Sequence, residues 1–210
     1  MAINLGGGFQ SGNNDATNNN PQGGITLNLA KNDILDLTKK NPGLTLVKLG
    51  AGWDISTGGS DFDLDIVALL LNDQGKIETA SNVIFFNNKT AQGITLGEDN
   101  RTGAGSGDDE TISINLSEIN FNTKKIIFAI SIFGAREKRQ TFGMINNSYV
   151  RLLDVANGEK EICRFDLKEN SSTATTVIFA ELYRDGADWQ FKAIGEGKIA
   201  DLNDLASMYQ

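Results

Sequence analysis

Apolar and polar residues alternate along this chain in short runs separated by turn residues, and that period of two marks β-strands with one buried face. Alternation, together with strongly apolar runs, predicts strands over Ile25 to Leu29, Leu44 to Leu49, Asp61 to Leu71, Asn82 to Phe86, Thr111 to Leu116, Lys124 to Phe133, Ser148 to Asp154, Lys160 to Leu167, Thr175 to Arg184 and Trp189 to Gly195. Ile66 to Leu71 is apolar without interruption, so burial on both faces is expected there. Asn157-Gly158 and Asp185-Gly186 each stand between two alternating segments, a strong hairpin signal. Asn72 to Gly75 is expected to close another hairpin, and Pro42-Gly43 to make a turn after a short helical turn or loop over Asn32 to Asn41. The one convincing helical period, with Leu202, Leu205, Ala206 and Tyr209 on one side, falls in Ile199 to Tyr209. Many short strands with regular turns and one terminal helix predict an all-β fold, a β-sandwich of two mainly antiparallel sheets closed by that helix.

The division expected is a Gly/Asn-rich leader over residues 1–24, with a possible short strand at Met1 to Leu5, followed by one domain over 25–210. The leader has almost nothing to bury, whereas 40% hydrophobic residues in 210 allow one sizeable core. The net charge of −8 argues against duplex nucleic acid as a partner. It leaves open an anionic membrane surface reached through a bridging cation. No apolar run approaches the roughly 18 residues of a membrane helix, and no secretory signal is expected at the N-terminus. A single cysteine, Cys163 in an alternating segment, fits a core position and a reducing cytoplasm.

Two acidic stretches interrupt this regular pattern. In Ser60-Asp-Phe-Asp-Leu-Asp-Ile66 a strand puts Asp61, Asp63 and Asp65 on one face, roughly 6.5 to 7 Å apart at about 3.3 Å of rise per residue. Such a row of like charges calls for a counter-ion, and aspartate is a poor strand former. The second stretch, Gly97 to Glu110, alternates glycine with small residues inside a frame of Glu98, Asp99, Asp108, Asp109 and Glu110. It adds the oxygens of Asn100, Thr102 and the main chain near Gly105 and Gly107. Oxygen ligands in an irregular loop suit calcium better than magnesium, and a chain without histidine and with one cysteine offers no zinc site. If the two stretches meet, eight carboxylates converge, more than one divalent ion would neutralise, so two calcium ions are expected.

Other readings of the loop fit less well. As an EF-hand it would carry Arg101, Gly103 and Ala104 where that motif requires Asp/Asn, Asp/Asn and Gly. As a phosphate cradle it lacks the G-x-G-x-x-G spacing and the Walker lysine. A solvated acidic hairpin loop is the plainest alternative. The absence of histidine removes Ser-His-Asp, Cys-His and H-E-x-x-H chemistry, which leaves a metal-dependent phosphohydrolase using the aspartate cluster as the enzymatic alternative. Arg136, Lys138 and Arg139 form the chief basic cluster, read as a solvated face or a contact for an acidic partner. Trp53 is expected to plug the core, and Asn87-Asn88 either to turn the chain or to lend an oxygen to a metal.

G-A-G-W-D, D-F-D-L-D, F-F-N-N, the glycine-rich acidic loop, F-G-M-I-N-N-S-Y-V-R and A-E-L-Y-R-D-G-A-D-W-Q-F-K-A-I-G, taken in this order from about Ile25, together resemble the TerD family of bacterial tellurium-resistance and stress-response proteins. The resemblance implies a single β-sandwich that binds calcium through the two acidic segments, without established enzymatic activity. It also implies an association with tellurite, phage, colicin and general stress. Partners of that role would be other stress-response proteins or the membrane periphery. The leader departs from the family pattern, so the N-terminal strand is expected to start late. One cysteine and three methionines are too little soft sulfur for a dedicated tellurium trap.

Overall fold

The computed structural model describes residues 27–54, 62–98, 107–167 and 172–210. The leader and the strand at Met1 to Leu5 therefore lie outside the described residues, as does Asp61. Two sheets pack face to face, as the alternation predicts. The first has seven strands, β1 (Leu27–Asn28), β3 (Leu46–Asp54), β6 (Thr90–Ala91), β7 (Ile94–Leu96), β8 (Glu110–Asn115), β10 (Asn146–Asp154) and β11 (Lys160–Asp166), in the order β1-β11-β10-β3-β8-β7-β6. The second has six, β2 (Ile34–Asp36), β4 (Leu64–Leu71), β5 (Val83–Ile84), β9 (Lys125–Ile132), β12 (Thr176–Asp185) and β13 (Asp188–Lys198), in the order β2-β13-β12-β9-β4-β5. Pairing is antiparallel except between β1 and β11.

The inward residues of both sheets make one core, with Val47, Leu49, Ala51 and Trp53 of β3 and Ile112 and Ile114 of β8 in the same cluster as Leu64, Ile66, Ala68 and Leu70 of β4. Phe128 and Phe179 stack within it at 6.2 Å between ring centroids. Val67, Leu69 and Leu71, the alternate residues of β4, turn to the outer face of the six-stranded sheet and join a second cluster with Leu205. That is why Ile66 to Leu71 is apolar at every position: one face meets the other sheet, the other meets the terminal helix. This helix, α3 (Leu202–Ser207), starts at a capping box in which Asp201 and Asp204 each accept from the other's backbone N–H.

Several elements differ from the sequence expectation. Asn32 to Asn41 holds β2 as well as a four-residue helix, α1 (Leu37–Lys40), because its backbone pairs with β13 at Ile34, Leu35 and Asp36. A third short helix, α2 (Ala135–Lys138), follows β9. The turn after β4, with Gly75 at φ 74°, leads through an irregular stretch and a single 3-10 turn before β5 returns against β4, so it is not a tight hairpin. Asn88 donates its amide to the carbonyls of Val83 and Ser81, which is the turning role. The Asn157-Gly158 and Asp185-Gly186 hairpins form as expected, with both glycines at positive φ.

Candidate functional site

The acidic loop re-enters the described fold at Gly107, and its last three acids take three different directions. The Asp109 backbone N–H donates to the Ala51 carbonyl (2.8 Å), while Glu110 opens β8 opposite Ala51 of β3. Gly107 (φ 118°) sits just before this anchor.

Asp108 folds back over the outer face of the seven-stranded sheet. Arg151 donates to it from both Nε (2.8 Å to Oδ1) and Nη2 (3.1 Å to Oδ2), a fork that matches a carboxylate. The Tyr149 hydroxyl completes the clasp, lying 3.1 Å from Asp108 Oδ1 and 3.0 Å from the Gly107 carbonyl oxygen. Only 8% of the Asp108 side chain is exposed. The pairing raises the Arg151 pKa, with the Asp108 hydrogen bond as the largest cause, and burial followed by the Asp108 charge pushes the Tyr149 hydroxyl up to about 12. Arg164 lies over the Tyr149 ring at 3.8 Å, and Arg151 also reaches Glu161 at 3.3 Å.

This arrangement explains the glycines of G-A-G-W-D. Strand register sets Gly50 opposite Arg151 and Gly52 opposite Tyr149. A Cβ on Gly50 would stand 2.0 Å from Asp108 Oδ2, and one on Gly52 2.5 Å from the Tyr149 ring. The two bare positions are thus the floor on which Asp108 and Tyr149 lie. Sequence reasoning missed Tyr149 and Arg151 as partners of the loop. The available signal was G-x-G against Y-x-R, two pairs at the same-face spacing of two.

Asp109 is buried, and its Oδ2 accepts from the Trp53 backbone N–H at 3.0 Å. Burial raises its carboxyl pKa despite that hydrogen bond, and the nearby Asp108 and Asp54 add to the rise. Glu110 is 2% exposed and shares the parity of Ile112 and Ile114, so it belongs to the inner face of its sheet. Trp53 plugs the core as expected, and its buried Nε1 has no hydrogen-bond partner among the described residues. Asn147 donates to Asp54 at 2.5 Å, closing the end of β3 against β10.

On the other sheet, Phe62, Leu64 and Ile66 turn inward and Asp63 and Asp65 take the alternate, half-buried positions. The strand begins at Leu64, later than the alternation suggests, although the Asp63 carbonyl still accepts from the Phe133 N–H at 2.8 Å. Asp65 stands opposite Ser131 and lines a cavity of about 620 Å³ on the outer face, together with Val67, Phe86, Phe133 and the start of α3. Arg136 bridges this rim by pairing with Asp204 and, at 3.6 Å, Asp201, so one member of the basic cluster braces the terminal helix. Strands β4 and β8, which carry the two acidic segments, touch across the core. Among the described residues no group of three or more acidic or cysteine side chains is assembled to hold a metal. Asp99, Asn100, Thr102 and Gly105 of the expected ligand set lie outside them, and Glu98 is exposed.

Comparison with known proteins follows the same boundaries as the fold. The TerD domain model matches residues 25–209. A tellurium resistance protein TerD of Serratia marcescens is 40% identical over 188 residues, an alignment covering 88% of this chain and 97% of the relative. General stress protein 16U of Bacillus subtilis (strain 168) is 42% identical over 189 residues, with the same coverage of 88% and 97%. Among solved structures, a homologue of the telluride resistance protein TerD from Streptomyces coelicolor A3(2) superposes with a TM-score of 0.67 at 22% identity, covering 80% of this chain and 99% of its own, which supports the fold alone.

Proposed function

Because this chain belongs to the TerD family of tellurium-resistance and stress-response proteins, we propose that it is a non-catalytic calcium-binding stress protein whose two acidic segments hold two ions. The ligands of this reading come from Asp61, Asp63 and Asp65 on one side and from Asp99, Asn100, Asp109, Glu110 and main-chain oxygens near Thr102 and Gly105 on the other. Asp108 and the Gly107 carbonyl, both in the expected set, stand outside this one, since Arg151 and Tyr149 engage the carboxylate and Tyr149 the carbonyl.

The observation that carries the reading is Asp109. Its carboxyl is buried, lies near Asp54 and Asp108, and is pushed toward its neutral form. A bound cation reverses that pressure by stabilising the ionised carboxylate. An oxygen-only donor set favours calcium over softer metals. Cys163 is buried in the core and its thiol is pushed up to about 12 by burial, so it presents no thiolate to a metalloid. Resistance on this reading comes from calcium-dependent binding to other stress proteins or at the membrane periphery, in the cytoplasm, and not from trapping tellurium.

Calorimetric titration of the metal-free chain tests this. The expected result is two calcium ions per chain with magnesium failing to compete at equal concentration. No heat of calcium binding would overturn the proposal, and turnover of a phosphate ester with magnesium or manganese would replace it with the phosphohydrolase reading.

A further inference from the structure

We infer that Asp108 is a positioning residue, the tongue of a latch formed with Arg151 and Tyr149, that fixes the end of the acidic loop to the outer face of the seven-stranded sheet. The inference rests on the calcium reading for its consequence, but its geometry stands independently. Three donors close on one carboxylate, Arg151 Nε, Arg151 Nη2 and the Tyr149 hydroxyl, leaving its side chain 8% exposed. The single proton of that hydroxyl is shared between Asp108 Oδ1 and the Gly107 carbonyl, which ties the latch to the backbone beside it.

The floor of the latch is cut to shape. Gly50 and Gly52 lie across from Arg151 and Tyr149 in register, and a methyl group at either would collide with Asp108 or with the tyrosine ring. The carboxylate lies flat on the sheet, over the bare Cα of Gly50. Arg151, shared with Glu161, offsets part of the Asp108 charge, and the remainder still bears on Asp109.

The consequence falls on Asp109 and Glu110. With Asp108 held outside, the next residue bonds to Ala51 and Trp53 and the one after enters β8 facing inward. Release of the latch frees the chain immediately before these two carboxylates. Calcium would then have to order the loop as well as bind it, and affinity falls while the number of ions does not.

The test compares Asp108→Asn, Arg151→Gln, Tyr149→Phe and the Asp108→Asn/Arg151→Gln double variant by calcium titration and by hydrogen exchange over residues 97–110. Both charge variants should keep the parent stoichiometry, weaken calcium by a similar factor of roughly five to ten, and speed amide exchange in the loop without calcium. The double variant should be no worse than either single change, since each alone opens the same latch. Arg151→Lys, which keeps the charge but not the fork, should restore part of the affinity. Tyr149→Phe keeps the ring on Gly52 and supplies a mild variant if the charge variants unfold. Loss of one ion in Asp108→Asn with normal binding in Arg151→Gln would make Asp108 a ligand and overturn the inference. Unchanged loop exchange in both charge variants would overturn it too. If the parent binds no calcium, the functional proposal fails, while exchange in the metal-free proteins still decides the latch.

Discussion

Asp109 is where the electrostatics of the site can be read with a proton. Its folded-state pKa is raised, chiefly by burial, so ionising this carboxyl costs more in the folded chain than in the unfolded one. A raised folded pKa contributes stability that is fully present below the unfolded value, about 3.9 for aspartate, and is lost as pH rises through the folded value. Replacing this carboxylate by a carboxamide would keep an oxygen to accept from Trp53 while removing the charge. In chelator, Asp109→Asn should therefore melt higher than the parent at neutral pH, and the gap should close on acidification. Melting curves from pH 3 to 7 check this, and a gap independent of pH would disprove the assignment. Gly50→Ala tests the floor of the latch: the added methyl forces Asp108 or the strand to move, an overpacking cost of about 1–3 kcal/mol measurable by urea unfolding. If Gly50→Ala is neutral, Asp108 is not seated as described.

Helix α3 shows how a short element is held by its surroundings. Six residues are too few to be helical alone, yet Leu205 is fully buried against Val67, Leu69 and Ile178, the capping box closes its first turn, and Arg136 pairs with Asp204. The Ala200 carbonyl ahead of it accepts from both Thr175 and Thr176 hydroxyls at 2.8 Å. Leu205→Ala should lose about 2–5 kcal/mol in urea unfolding, and Asp201→Ala about 1 kcal/mol. An equal effect of the two would mean that packing is not what holds the helix. This helix was legible in the sequence because its apolar side recurs at the helical period, as were the long strands, through alternation or an unbroken apolar run, and both glycine hairpins. Strand β2 was not, since Ile34 to Asp36 has no period of its own and forms only because β13 offers an edge. The same holds for the latch. Alternation shows that Tyr149 and Arg151 share a face, but only the register of β10 on β3 shows that the glycines of G-A-G-W-D lie opposite them. Charge alone marks the acidic segments as candidates, whereas which acids answer to arginine depends on pairing between distant strands.

In a chain of net charge −8, Asp54 and Asp108 bear on the buried Asp109 where β3 ends and β8 begins, so like-charge repulsion weighs on this end of the molecule. The hydrophobic core is continuous through both sheets and does not depend on those acids, so on the calcium proposal ion removal should loosen the loop between Gly97 and Glu110 without dissolving the sandwich. Calcium that binds only the folded chain stabilises it by RT ln(1 + [L]/Kd), about 2.7 kcal/mol at a hundredfold excess over Kd. For a domain of this size that corresponds to a rise in melting temperature of roughly 5–10 °C. Sodium chloride at matched ionic strength should reproduce little of it, because screening relieves exposed charges such as Glu98 but barely reaches Asp109 and Glu110, which are buried. Thermal melting in calcium, in chelator and in chelator with added salt separates the two effects. Equal melting temperatures in calcium and chelator would remove the ion from the account of stability. A rise reproduced in full by salt would reduce calcium to a counter-ion for surface charge.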